Sequence, residues 1–163
     1  KYPYNWSTAW TDAQKKELGL VWEDDAVVKT YDNRFYKSNG DELNLADENV
    51  VDADGKAVID ATTGKQMVQL GLKSIWVTRT KSTANGLLTV SDWYVTRKAE
   101  ASTAIPSDIS TYRTGVRTAS KTIEDKINGC ADLDAFKALF DVPMKDGKPT
   151  GNAPIYDFPD KVN

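Results

Sequence analysis

The sequence predicts an α+β fold: a helical hairpin or bundle core, a small N-terminal β-meander and extended terminal arms. Three observations predict it. Ile109, Tyr112, Val116, Ala119, Ile123 and Ile127 step by three and four residues, the mark of one apolar stripe on an α-helix. Asp54-Gly55 and Thr63-Gly64 punctuate short apolar runs between Val50 and Val68, the mark of hairpin turns. The two ends are rich in aromatics and prolines and carry no helical period.

Residues 1–10 read as an extended arm whose Trp6 and Trp10 need a surface to dock on, because indole rings are seldom left bare. Thr11 or Asp12 caps a short helix, Ala13 to Leu18, and Gly19 follows at the position that favours a left-handed backbone. Leu20–Trp22 and Ala26–Tyr31 read as short strands, Arg34-Phe35-Tyr36 as a further extended piece, and 38–48 as a polar, acidic loop. The meander follows as Val50–Ala53, Lys56–Asp60 and Gln66–Val68, with Asp54-Gly55 as a two-residue turn. Asp-Ala recurs ahead of each Gly-Lys, a crude internal duplication.

From Gln66 or Leu70 to Leu88 the apolar pattern turns helical, with Leu70, Val77 and Ala84 spaced by seven and Leu72, Ile75 and Trp76 widening that side. Ser91 or Asp92 caps a short helix, Trp93 to Glu100. Pro106 fits the first turn of the long striped helix, and Asn128-Gly129 ends it. Arg113, Arg117 and Lys121 lie four apart on another face. Asp132 caps a last helix whose Phe136, Leu139 and Phe140 are buried. Residues 141–163 contain four prolines and read as an irregular tail pinned by Tyr156 and Phe158. The predicted organisation is thus 1–68 (arm, short helix, hairpins), 69–140 (helical module) and 141–163 (Pro-rich extended tail).

A chain of 163 residues buries enough surface for a real core without disulfides or metal. Its net charge is −3, which gives no basic field for nucleic acid or an anionic membrane. No apolar run reaches membrane-spanning length. The opening KYPYNWSTAW is no signal peptide, and a start on Lys1 fits a trimmed N-terminus or a piece of something longer. Acidic residues crowd Glu23 to Asp60, and Lys and Arg concentrate from Lys73 to Lys126. That asymmetry fits either a solvated surface or oriented self-association.

There is no histidine, which removes His-based triads and mixed zinc sites. Cys130 stands alone, which fits assembly in a reducing cytosol, and it reads as a small core filler. Counted from Asp52 as a calcium loop, the sixth position is Ala57 where glycine is needed and the twelfth is Thr63 where glutamate is needed. Carboxylates are plentiful, but no spacing singles out a pair for glycoside hydrolysis. No catalytic residue, metal ligand or cofactor is therefore expected. The sharper expectation concerns Arg beside aromatics, the residue types that dominate interface hot spots. Arg97 lies one turn after Trp93, and Arg113 adjoins Tyr112 with Arg117 a turn on. These residues face a partner, or they pack within the chain along Trp93 or against Glu100 and Asp108. With Trp6, Trp10, Tyr156 and Phe158 they make up the candidate partner interface.

The run Leu87-Leu88, Ser91-Asp92-Trp93, Arg97, Glu100, Ile105-Pro106, Tyr112-Arg113 and Val116-Arg117 resembles the tail assembly chaperone-like domain family of tailed bacteriophages. Thr80 or Lys81 stands near that pattern's first basic position, a departure from it. The resemblance covers about residues 70–130. More loosely, TDAQKKELGLVWEDD with YDNRFY, and the closing GNAPIYDFPD, are similar to segments of aquatic-phage proteins that carry this module. It implies a non-enzymatic structural component of the virion tail, in a baseplate, collar or fibre attachment, assembled in the host cytoplasm. Its partners would be other tail or fibre proteins and further copies of itself. The alternatives are an assembly chaperone absent from the mature particle and a polysaccharide-binding or -cleaving tail protein.

Overall fold

The computed structural model describes residues 5–20 and 29–161. The chain divides into two units, Lys1–Thr30 and Tyr31–Asn163. Among the described residues it is α+β, with six α-helices and two antiparallel two-stranded sheets.

The first unit holds α1 (Trp6–Ala9) and α2 (Asp12–Glu17). The arm expected to be extended is thus helical over one turn, closed by Thr8 and Ala9 N–H groups donating to the Asn5 carbonyl. Thr11 caps α2 through a reciprocal box. Its hydroxyl accepts from the Gln14 N–H, and the Gln14 amide oxygen accepts from the Thr11 N–H at 2.9 Å. Gly19 follows at φ +74°, as its position after the helix predicts. The strands expected at Leu20–Trp22 and Ala26–Tyr31 fall on or across 21–28, outside the described residues.

The meander opens the second unit. β1 (Glu48–Asn49) pairs antiparallel with β2 (Val68–Gln69), and single bridges join Val51 to Ala57 and Ile59 to Gln66. The Asp-Ala duplication has a physical cause. Asp52 Oδ1 accepts from the N–H groups of Asp54 and Lys56, and Asp60 Oδ1 accepts from those of Thr62 and Thr63. Each aspartate folds its own turn, and the glycine that follows, Gly55 or Gly64, takes positive φ. The two-residue turn expected at Asp54-Gly55 is corrected: Asp52 pairs with Lys56, so the loop has three residues and only Gly55 is left-handed.

α3 spans Leu72–Thr89, beginning later than the Gln66 or Leu70 expected. Its first turn is satisfied from outside. The Leu72 and Lys73 N–H groups donate to the carbonyls of Asn44 and Leu45, and Asp47 accepts from the Gly71 N–H and the Ser74 hydroxyl, both at 2.8 Å. Gly71 is required there, since a Cβ would stand 2.3 Å from the Ala46 carbonyl oxygen. The buried face of α3 is Leu72, Trp76, Thr80 and Ala84, a step of four; Leu70, expected on the stripe, precedes the helix and is exposed.

α4 (Asp92–Ala101) ends on Ser102 at φ 55°, and α5 (Ser107–Gly129) starts after Pro106, which stands at the N-cap rather than in the first turn. α3 and α5 pack antiparallel: Lys73 Nζ donates to the Asn128 carbonyl, Lys81 pairs with Glu124, and Arg113 reaches Leu88. The buried line of α5 is Arg113, Val116, Ser120, Ile123 and Ile127. The predicted stripe therefore holds at three positions, while Ile109, Tyr112 and Ala119 flank it half-buried. α6 (Leu133–Ala138) is capped by Asp132 Oδ1 accepting from the Ala135 N–H, as expected.

Phe136, Ile123, Ile127 and Trp76 centre the core, with Phe35, Leu72, Leu133 and Ile155 around them. Phe140 meets Trp76 edge-on at 4.7 Å and Phe35 at 5.0 Å. The tail expected to be irregular is more ordered. β3 (Met144–Lys145) and β4 (Lys148–Pro149) form a hairpin whose two turn residues, Asp146 and Gly147, both have positive φ. A 3-10 turn at Pro154–Tyr156 then buries Ile155, whose N–H donates to the Leu139 carbonyl.

Candidate functional site

The C-terminal end of α3, the start of α4 and the first half of α5 meet at one corner. The Leu88 carbonyl there accepts from the Ser91 N–H, the Ser91 hydroxyl and Arg113 Nη1, at 3.0, 3.0 and 2.9 Å. Arg113 Nη1 also donates to Ser91 Oγ at 2.7 Å, and Nη2 pairs with Asp92 Oδ1 at 2.9 Å. A guanidinium is well suited to this place, since the end of a helix presents unpaired carbonyls and negative partial charge. Ser91, one of the two residues expected to cap α4, stands at its N-cap, but its side chain makes no capping bond; it and Asp92 are engaged by Arg113.

Arg113, placed by its spacing on a face other than the apolar stripe and left open between a partner and its own chain, is buried, 6% exposed. Its five-donor fork ties three helices together, so its role is within the chain. Arg117 stays exposed and donates at 3.5 Å to the Arg113 carbonyl.

Arg97 lies over the Trp93 ring, 4.6 Å from its centroid, and 5.3 Å from that of Tyr94. Trp93 and Tyr94 stack with centroids 3.8 Å apart. Packing along Trp93, one of the two arrangements open from sequence, is the one present. Arg97 forms no ion pair among the described residues, and its Nε is buried without a hydrogen-bond partner. Trp93 nevertheless stays half exposed, and Val90 beside it is 77% exposed. Below them runs a groove of about 490 Å³, lined by Leu87, Val90, Trp93, Tyr94, Ile109 and Tyr112, with Lys161 at its edge.

The remaining candidates lie elsewhere. Tyr156 touches Trp76 and Phe140 edge-on at 6.3 and 6.1 Å, and Phe158 packs partly buried against the core. Both hold the tail to its own unit. Trp10 is partly buried in the first unit; Trp6 begins α1, and its side chain lies outside the described residues. Within the second unit the structure thus unites Trp93, Arg97 and Arg113, with Arg117 a turn away, while Tyr156 and Phe158 pack at the core.

Sequence reasoning missed Val90, placed Ile109 on the core stripe rather than at the groove, and did not mark the Leu88 carbonyl as a triple acceptor. It also missed Arg113 as a strut, although Arg113, Val116, Ser120, Ile123 and Ile127 step by three and four like the stripe chosen instead. Among the described residues no group of three carboxylates or thiols could hold a metal ion, and no helix is long and apolar enough to cross a membrane. Burial pushes the Cys130 thiol above its ordinary range, and its sulfur hydrogen donates to the Lys126 carbonyl at 3.3 Å. That is the setting of a core cysteine.

Comparison with protein-family models, with curated proteins and with solved structures gives no match to this chain.

Proposed function

We propose that the chain is a non-enzymatic structural component of a bacteriophage tail, at a baseplate, collar or fibre attachment, acting through subunit–subunit interfaces. The observation that carries this reading is the half-exposed Trp93, stacked with the partly buried Arg97 and Tyr94, above an apolar groove. It lies on the segment, Ser91 to Arg117, whose residues resemble the phage tail assembly chaperone-like family. Arg and Trp are the side chains interfaces favour most, because they combine large apolar area with directional charge. Arg113 supports the reading from behind: by fixing α3, α4 and α5 to one another it presents the stack on a rigid corner.

Mass spectrometry of purified virions tests the reading. The chain should be found in mature particles at a copy number commensurate with tail symmetry. Its presence in infected cells and absence from particles would replace this reading with that of an assembly chaperone.

A further inference from the structure

After α6 the chain leaves the core and comes back to the point it left. The Ile155 N–H donates to the Leu139 carbonyl at 3.0 Å. Between the two, every residue of 141–152 is exposed. That excursion is the β3–β4 hairpin, closed on itself by the Thr150 N–H and hydroxyl, which both donate to the Pro143 carbonyl.

Residues 153–161 then form a strap over the seam between α3 and α5. Ala153 and Ile155 are buried, and Phe158 packs partly buried against the core. Tyr156 touches Trp76 of α3 edge-on at 6.3 Å. Pro159 lies on Gly115 of α5, where an added Cβ would stand 3.8 Å from the Pro159 Cβ. Lys161 reaches the groove that Tyr112 and Ile109 line, so the strap runs antiparallel to α5. Its other backbone bonds, Tyr156 to Ala153 and Phe158 to Tyr156, are internal. Among the described residues the Ile155 bond is the one backbone hydrogen bond from strap to body, and Asp157, Asp160 and Lys161 form no ion pair. A few apolar anchors therefore hold the strap, and a segment held in that way opens ahead of the rest of the fold.

We infer that 153–161 is an exchangeable strap: it leaves the seam as a unit, and the vacated seam takes the same segment from a second copy. The occupant needs no new chemistry, because the surface that fits the strap in one copy is identical in the next. The hairpin supplies the reach. Opened out, 141–152 spans up to about 40 Å, and its exposure means that opening it uncovers no core. Within one copy a short linker holds the strap at an effective concentration on the order of millimolar. A dilute chain therefore keeps its own strap, and exchange belongs to copies crowded side by side. The inference rests on the contacts of the strap and not on the functional reading above.

Disulfide trapping between full-length chains tests this. A Cβ separation of 3.8 Å at positions 115 and 159 is one that a disulfide spans. The double variant Gly115→Cys with Pro159→Cys should close that bridge within one chain. Gly115→Cys mixed with Pro159→Cys, concentrated in a glutathione redox buffer, should give a dimer bridged between positions 115 and 159, identified by peptide mapping without reduction. Its yield should exceed by about tenfold that of Gly115→Cys mixed with Lys148→Cys, whose thiol sits on the exposed hairpin and reports random collision. Cys130 is buried, and mapping separates any product it forms. A double variant that closes its bridge while the mixture stays at the collision yield would overturn exchange. A double variant that fails to close would overturn the strap's placement on the seam. Hydrogen exchange of the unaltered chain gives an independent reading: the Ile155 amide should exchange at least tenfold faster than that of Phe136, whose N–H donates to the Asp132 carbonyl. Equal rates would show that the strap leaves only when the whole unit unfolds, and would overturn the inference.

Discussion

Arg113 Nη1 donates to the Leu88 carbonyl at 2.9 Å, joining the second turn of α5 to the end of α3 across 25 residues of chain. The carbonyl lies where α3 can no longer supply donors, and Ser91 and Asp92 of the next helix take the rest of the guanidinium. One side chain thus sets the angle at which the half-exposed Trp93, with Arg97 stacked on it, is presented.

Replacing Arg113 with Ala should destabilise the fold by about 2 kcal/mol, the worth of charged hydrogen bonds to buried acceptors, with Asp92 counted lightly because it is half exposed. For a chain of this size that lowers the melting temperature by roughly 4–8 °C. Arg113→Lys should recover part of the loss, because an ammonium supplies charge without the planar fork. An unchanged thermal melt for the Ala variant would contradict the strut.

Gly71 offers a second test. Ala there would place a methyl group against the Ala46 carbonyl and force the 44–47 segment off the first turn of α3. The cost should be about 1–3 kcal/mol, as for overpacking elsewhere, seen as a lower denaturant midpoint. Ala at Gly86, where nothing lies within 4 Å of an added methyl, should leave the midpoint unchanged or raise it slightly.

On α5, Ile123→Ala should cost about 2–5 kcal/mol, because that side chain is 1% exposed and borders Phe136 in the core. Tyr112→Ala should cost less in chemical unfolding, since Tyr112 is half-buried and lines the groove. Equal losses would place Tyr112 in the core proper.

The meander should respond to acid. Hydrogen bonds from the Thr63 backbone and hydroxyl hold the Asp60 carboxyl below its ordinary range. A carboxylate depressed in the folded state stabilises it above the ordinary carboxylate pKa, and that contribution is lost as pH falls through the folded value. Amide exchange at Thr62 and Thr63 should therefore rise, relative to Met67, as pH is lowered through that window. Asp60→Asn should flatten the difference.

Where one local cause dominates, sequence and structure agree. The caps at Thr11 and Asp132 and the extent of α5 follow from side-chain chemistry at short range. Where two local patterns compete, tertiary packing decides. α5 carries two interleaved lines of three-and-four spacing, and the face turned to α3 includes Arg113 and Ser120, which composition alone places outside. The two Asp-Gly pairs show the same limit. Asp146-Gly147 forms the tight turn predicted for Asp54-Gly55, and a Pro-rich setting concealed it. Of the corner, Trp93 and Arg97 were legible as neighbours one turn apart. Leu88 was not, because its part is played by a backbone carbonyl that no side-chain pattern marks.

The most direct test of the account is an image of the assembled tail at subunit resolution. The account predicts this chain in the particle, with Trp93, Val90 and Arg97 buried against a neighbouring subunit. A particle that holds the chain with that corner open to solvent, or no copy of the chain at all, would contradict it.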